Sequence, residues 1–239
     1  MAIADFTGWI DGITASAVVI FGIIFGIFFI YRGRKTGAKL LSYLGLANML
    51  AGLMYLGVFL DFLLVIITHF NITNNGLVAL LSYIWFAPVI ITAMYIGAEL
   101  ITPKIKIYII ILFLVISIVF EIVIFIDIPS SFVFSPPLYQ PVSENLIDYN
   151  VNLLSLAGIL MGVLLLPVLI FLGFGFLYKA LQSSGVIRRN FILLSAGSIC
   201  FCVFGLLEGL TEPGYFVIVV RMGYMVSFWL MYFGLGKKS

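Results

Sequence analysis

Seven long hydrophobic runs, separated by short polar stretches, set the pattern of the chain. They fall at residues 9–31, 38–63, 76–100, 104–127, 151–180, 190–210 and 214–235. An α-helix needs roughly 20 mainly apolar residues to cross the hydrocarbon core of a bilayer. Turn-forming residues mark the intervening stretches, as in "NITNNG" and "QSSG". The pattern predicts an all-α integral membrane protein, built as a bundle of seven transmembrane helices.

The composition agrees with a membrane environment. Hydrophobic residues make up 64% of the chain and charged residues only 9%, whereas about 25% of the residues in a soluble domain are charged. No polar block is long enough for a second domain, so we expect residues 1–239 to form a single multi-pass domain in the cell membrane. The N-terminal stretch "MAIADFTGWIDG" has no basic residue ahead of the first run, and we therefore expect no cleaved signal peptide.

The basic residues predict the orientation of the bundle. All of them except Arg221 follow the first, third, fifth or seventh run: Arg32, Arg34, Lys35, Lys39, Lys104, Lys106, Lys179, Arg188, Arg189, Lys237 and Lys238. Basic loops remain on the cytoplasmic side, which places the N-terminus outside and the C-terminus inside. Because these residues are spread over separate loops, they form no patch for nucleic acid. The longest loop, 128–149, faces outward and contains four prolines; it is either a lid over a ligand or a plain connector.

The first three runs resemble the last three. The spacing from Tyr31, which we expect to end the first helix, to Asp61 equals the spacing from Tyr178, which we expect to end the fifth, to Glu208. The third and seventh runs share Met-Tyr-x-Gly, in "AMYIGAEL" and "LMYFGLGK". This indicates either a parallel 3+1+3 repeat or a chance similarity of helix ends. The 3+1+3 arrangement resembles that of sugar transporters of the SWEET type and, more distantly, that of rhodopsins. A true repeat would place a central site between the two triplets.

Charged residues within the runs are the first candidates for a site. A charge at membrane depth costs about 2.5–3.5 kcal/mol, so it needs a partner or a water-filled cavity. Arg221 and Glu208 belong to consecutive helices at similar depth, and Glu121 lies in the same outer layer. The open interpretations are a structural Arg221–Glu208 ion pair, a ligand pocket in which Arg221 holds an anionic group, and a contact with lipid headgroups. Trp85 and Tyr83 complete the candidate ligand-binding set.

Several chemistries lack the residues that they need. Retinal requires a lysine near the middle of the seventh helix, and 214–235 contains none, so we expect no retinal and no other cofactor. The single histidine, His69, and the neighbouring Cys200 and Cys202 suit neither a metal site nor a disulfide. The sequence contains none of the common hydrolase or phosphate-binding motifs. We therefore expect no enzymatic activity.

One segment carries a family resemblance. The stretch "FLYKALQSSGVIRRNFILLSAGSICFCVFGLLEGL" (176–210) resembles the corresponding part of seven-helix sensor regions in many archaeal and bacterial histidine kinases. The shared features are an aromatic helix end (Tyr178), a short loop, an arginine pair opening the sixth helix (Arg188 and Arg189), and Gly197. The resemblance implies a membrane sensor with an extracytoplasmic ligand pocket. No kinase domain follows "GLGKKS", so we expect any signal to pass to a separate cytoplasmic partner.

Three functions remain as hypotheses. The first is a stand-alone, receptor-like sensor that binds a small ligand non-covalently from outside and signals to a separate partner. The second is a small-solute transporter of 3+1+3 design, and the third is a structural membrane protein without a ligand. A transporter must open its cavity to both sides, and the inner halves of the runs are poor in polar residues. This asymmetry favours the sensor.

Overall fold

The computed structural model describes residues 6–135, 146–211 and 215–234. In this part of the chain, six helical segments are long and apolar enough to cross a membrane, and a bent helix pair supplies a seventh. The predicted all-α membrane bundle is therefore confirmed, and the chain is a multi-pass membrane protein. Lys237, Lys238 and the prolines at 136, 137 and 141 lie outside the described residues.

The described elements follow one another along the chain in this order: α1 (Phe6–Thr36), α2 (Lys39–Leu53), α3 (Leu56–Thr68), α4 (Asn75–Tyr83), α5 (Phe86–Ile101), α6 (Lys106–Ile126), α7 (Ile128–Ser131), β1 (Phe132–Ser135), β2 (Asp148–Val151), α8 (Leu156–Val168), a π-helical segment (Leu169–Phe174), α9 (Gly175–Leu181), α10 (Gly185–Leu210) and α11 (Tyr215–Gly234). Spans 1, 4, 6 and 7 are α1, α6, α10 and α11. Span 2 joins α2 to α3, span 3 joins α4 to α5, and span 5 joins α8, the π-helical segment and α9.

We call the end of the bundle at which α1 begins the Arg221 end, and the opposite end the basic end.

Three helix ends differ from the sequence prediction. Tyr31 does not end the first helix, because α1 continues through "RGRKT" to Thr36 and stops at Gly37, whose φ is +71°. Arginine and lysine are good helix formers, and their long stems let the charges reach water. The second run extends to Thr68 and ends at His69 with a left-handed φ of 60°. Tyr178 also lies inside a helix, since α9 continues to Leu181.

Three spans are interrupted partway along their length. Span 2 bends by 47° at Met54 and Tyr55, whose N–H groups bond to carbonyls three residues back, as in a tightened turn. Span 3 breaks just before α5, where Pro88 occupies the first turn, a position that tolerates its missing N–H. In span 5, Pro167 precedes the π-helical segment, a widening that proline favours by removing a backbone donor.

The stretch after α6 forms a small cap, and its helix and strands were not predicted from the sequence. We read 128–149 as a loop, but α7 is followed by β1, which pairs antiparallel with β2 through partners such as Phe132 and Val151. Pro129 lies in the first turn of α7. Strands of four residues are too short to show an alternation that stands out from the surrounding proline-rich sequence.

Asp61 joins this cap to the bundle. Its Oδ1 accepts a hydrogen bond from the Ile72 N–H at 2.8 Å, and its Oδ2 accepts bonds from the Ile147 N–H and the Asn71 amide, both at 3.0 Å. The Asp61 side chain is fully buried. A buried carboxylate that accepts several N–H bonds is compensated by them. Asp61 therefore holds the segment before β2 against α3.

Glycines let spans 1 and 2 approach closely. A Cβ added at Gly22 would lie only 2.7 Å from the Cα of Gly52. Glycine faces of this kind allow helix backbones to pack closely in membranes. This contact fixes α2 at the side of α1 and so positions the wall of the cavity described below.

We expect Gly22→Ala to lower the free energy of unfolding by about 1–3 kcal/mol, because the added methyl group meets backbone that cannot rotate away. Unfolding in mixed micelles with increasing sodium dodecyl sulfate measures the change. Gly162→Ala is the matched control, since a Cβ at Gly162 meets nothing within 4 Å. Equal effects of the two substitutions would contradict the close contact.

We expect Asp61→Asn to destabilise the protein by about 1–3 kcal/mol, because an amide nitrogen would then face N–H donors that need an acceptor. The same unfolding assay applies. Asp127→Asn provides the control, because exposed Asp127 caps α7 by accepting from the Ser130 N–H, and asparagine caps as well as aspartate does. A loss no larger than that of the control would show that Asp61 does not anchor the cap.

Candidate functional site

A cavity of about 120 Å³ lies between the first three spans and the last three spans. By this measure a single water needs only about 10–15 Å³, so the cavity can hold a small ligand or a group of waters. The described lining residues come from spans 1, 2, 3, 5, 6 and 7 and from β2. The cavity thus lies where a 3+1+3 arrangement would place a central site, although the repeat itself stays a prediction.

The cavity is long and has one polar end. Val217 and Met231 of α11 both line it, and they are about four helical turns apart, or roughly 20 Å. Near the Arg221 end the charged residues Asp11, Asp148, Glu208 and Arg221 line the wall: this is the polar end. Toward the basic end the wall is largely apolar, with Leu44, Leu172 and Met231 among its residues.

Arg221 is the centre of the polar end. Its Nη1 lies 2.5 Å from Asp11 Oδ1 and donates to the Asp11 carbonyl oxygen at 2.7 Å and to Thr14 Oγ1 at 3.0 Å. Its Nε lies 3.4 Å from Glu208 Oε1, and the guanidinium carbon sits 5.1 Å from the ring centre of Tyr55. Arg221 is only 5% exposed, so these contacts compensate the burial of its charge.

The closest partner of Arg221 is not the one that the sequence favoured. Asp11 lies at a shorter distance than Glu208 and contributes a carbonyl oxygen as well. Sequence analysis missed Asp11 and Thr14 because they lie in span 1, far from Arg221 along the chain. The contact closes the bundle between its first and last spans, and only the folded arrangement reveals it.

Glu208 has bonding capacity left over. Its Oε2 is buried and has no hydrogen-bond partner among the described residues, although the phenol of Tyr55 interacts with the carboxylate. One quarter of the Glu208 side chain (25%) is still accessible, and the residue lines the cavity. A carboxylate offers about four acceptor positions, so Glu208 can accept a further donor.

Four tyrosines line the cavity near its polar end: Tyr55, Tyr83, Tyr149 and Tyr224. Tyr55 packs edge-on against Tyr224 at 5.6 Å, and Tyr83 against Tyr149 at 6.2 Å, between ring centres. Sequence reasoning selected only Tyr83. Burial raises the pKa of Tyr149, which lies in β2 outside the spans, so its phenol stays protonated at neutral pH.

Glu121 and Trp85 lie apart from the cavity, and neither lines it. Both carboxylate oxygens of Glu121 are buried without a well-formed hydrogen bond among the described residues, although the backbone of Ala87 interacts with the carboxylate. Trp85 Nε1 is also buried without a partner in this part of the chain. Trp85 packs against a small apolar cluster of Leu50, Ala51 and Val89. The structure thus brings Arg221, Glu208 and Tyr83 together and separates the other two candidates from them.

A deeper polar group also lines the cavity, although it was not among the candidate site residues. Asn48 of α2 is 4% exposed and lines the cavity, and its Nδ2 has no partner within the described part of the chain. The described residues include no group of three His, Cys, Asp or Glu placed to hold a metal ion. The site is therefore one of charges, phenols and an amide on an apolar wall.

Comparisons with protein-family models, with curated proteins and with solved structures gave no match. The resemblance of residues 176–210 to histidine-kinase sensor regions therefore stays a prediction. In the structure, the glycine of that segment serves packing: a Cβ at Gly197 would lie 2.6 Å from the Met231 side chain.

We expect Arg221→Gln to cost about 3–5 kcal/mol of stability, because it leaves the Asp11 and Glu208 carboxylates buried without their counter-ion. Double-mutant cycles with Asp11→Asn and Glu208→Gln should give a larger coupling energy for Asp11, whose carboxylate lies closer. Unfolding in mixed micelles with increasing sodium dodecyl sulfate measures the stability of each single and double variant.

Arg34→Gln is the control for this series, because Arg34 is exposed at the basic end and should change stability little. A loss at Arg221 as small as that at Arg34 would show that the cluster does not hold the bundle. A larger coupling to Glu208 than to Asp11 would contradict the observed geometry.

Proposed function

We propose that this protein is a receptor-like membrane protein that binds a small ligand non-covalently in the cavity between its two helix triplets. The observation that carries the proposal is a single long cavity with an apolar wall and a few converging polar groups. Ligand sites in proteins typically have this composition. A structural protein without a ligand would more simply fill this space with side chains, since protein interiors are close-packed.

The arrangement of the two ends supports entry from the Arg221 end. Asp148, Asn150 and Thr211 line the cavity there and give that end a polar surface. Toward the basic end, edge-on and tilted aromatic contacts join α1 to α11: Phe25 contacts Trp229 at 5.1 Å and Tyr232 at 5.4 Å, and Phe28 contacts Tyr232 at 5.1 Å. This aromatic contact favours a closed basic half, as a receptor requires.

The signal would leave through the basic end, which we predict to be cytoplasmic. Ligand binding can shift the protein between states only if the ligand interacts differently with them. The interrupted spans that line the cavity, at Met54–Tyr55 and at Val168–Leu172, are the places where a small change in packing would alter helix direction. A separate cytoplasmic partner would read that change.

A small-solute transporter is the second candidate, and the same interruptions favour it. Discontinuous spanning helices often form the substrate sites of secondary transporters, and residues at the breaks in spans 2, 3 and 5 line this cavity. The two functions differ in one physical respect. A transporter must expose the cavity to both sides of the membrane, whereas a receptor needs access from one.

Thiol accessibility separates the two functions. We expect Ala51→Cys, in a background with Cys200→Ala and Cys202→Ala, to react with a membrane-impermeant cationic methanethiosulfonate from the Arg221 side only. Ala51 lines the cavity wall. The reagent is applied to right-side-out and to inside-out vesicles, and the labelled fraction is read by mass spectrometry.

Val115→Cys in the same background is the control, because Val115 is 55% exposed on α6 outside the cavity and would face lipid. It should remain unlabelled from both sides. Labelling of Ala51→Cys from both sides would favour the transporter. Labelling from neither side, or only from the basic side, would overturn the receptor proposal.

A further inference from the structure

We propose that the ligand is an amphipathic organic amine whose protonated amino group binds beside Glu208 and whose apolar part extends toward Met231. This inference rests on the proposed function, because it names the ligand class for the same cavity. It reverses the role that the sequence suggested for Arg221, which was to hold an anionic group.

The first argument is the charge of the polar end. Among the described residues that line the cavity, Arg221 is the only cation, and Asp11 and Glu208 face it with two carboxylates. Even with Asp148 left out of the count, the polar end carries an excess of negative charge. A charge excess in an apolar cavity costs free energy unless a counter-charge joins it, and a ligand ammonium supplies one.

The second argument is that Arg221 is already engaged. Its Nη1 is shared among Asp11 Oδ1, the Asp11 carbonyl and Thr14, and its Nε faces Glu208. Bidentate recognition of a ligand carboxylate or phosphate needs two parallel N–H donors of one guanidinium. The face formed by Nη1 and Nη2 becomes available only if the Asp11 pair opens, and the face formed by Nε and Nη2 only if the Glu208 contact opens. Either change would leave a carboxylate without its counter-ion.

The third argument is the unused acceptor. Glu208 Oε2 has no hydrogen-bond partner among the described residues, and the side chain is partly accessible beside the cavity. The terminal torsion of glutamate is broad, so a modest rotation turns this oxygen toward the cavity. An ammonium offers three donors and no acceptor, which matches a site that has acceptors to spare.

Aromatic rings complete the match. Tyr83, Tyr149 and Tyr224 line the cavity close to the polar end, and cations are attracted to the faces of such rings. Tyr55 already shows this preference, since Arg221 sits over its ring. Below the tyrosines, side chains such as Ala93, Leu165 and Leu172 make the wall largely apolar, with the Asn48 amide as a polar group within it. That surface would bury the hydrocarbon part of the ligand.

Three probes with similar bodies and different heads test the inference: phenethylamine, 2-phenylethanol and 3-phenylpropionate. Equilibrium dialysis of tritiated phenethylamine against the purified full-length protein measures binding, and the two other compounds serve as competitors. We expect phenethylamine to bind with at least about 30-fold higher affinity than either competitor. Removing one partner of a buried charge pair weakens the binding affinity by a factor of this order.

Glu208→Gln should weaken phenethylamine binding by about 30-fold or more, whereas Glu121→Gln should leave it unchanged. The second substitution removes a carboxyl group at membrane depth that does not line the cavity. Intrinsic fluorescence melting checks that both variants fold. If Glu208→Gln does not fold, the order of affinities of the three probes for the unaltered protein decides.

Stronger binding of 2-phenylethanol or 3-phenylpropionate would overturn the amine inference, and so would equal losses in the two glutamate variants. Absence of any phenethylamine binding would overturn it as well. None of these results touches the proposed function, which is decided separately by the labelling pattern of Ala51→Cys. A cavity that is labelled from one side but prefers an acid or an alcohol would remain a receptor site for another ligand class.

Discussion

A guanidinium buried in an apolar bundle must be neutralised within the fold, and this constraint shapes the half of the molecule at the Arg221 end. Arg221 on span 7 binds the carboxylate and the carbonyl of Asp11 on span 1 and faces Glu208 on span 6. Each of these groups would be costly at membrane depth without the others. Their mutual contact therefore joins the first and last spans and defines the polar end of the cavity between the triplets.

The same requirement applies where the spans are interrupted. A broken helix frees backbone donors, which must find other partners in the absence of water. After the bend in span 2, the Gly57 N–H donates to Ser82 Oγ at 3.0 Å, and one turn further along α3 the buried Asp61 accepts from the backbone of two other segments. Residues at the breaks line the cavity, and under the proposed function they are the points at which a bound ligand would change helix direction.

Much of the bundle follows from hydrophobic runs alone, because a run of roughly 20 apolar residues has few alternatives to a spanning helix. The prolines at 88 and 167 also marked two of the irregular positions. The bend at Met54–Tyr55 contains no proline, so the sequence offered no signal for it. Arg221, Glu208 and Tyr83 were found because a charge or a phenol stands out in an apolar run. Asp11, Asn48 and Tyr149 were not selected as site residues, because only the packing of distant segments brings them to the same cavity.

The most direct measurement is an experimental density map of the protein purified in mild detergent or nanodiscs. The structure predicts Arg221 paired with Asp11 and an open volume from Glu208 toward Met231. From the proposed function we expect in addition density for a bound molecule with its polar group beside Glu208. A map in which side chains fill the space between the triplets, or in which Arg221 turns away from Asp11 toward lipid, would contradict the account.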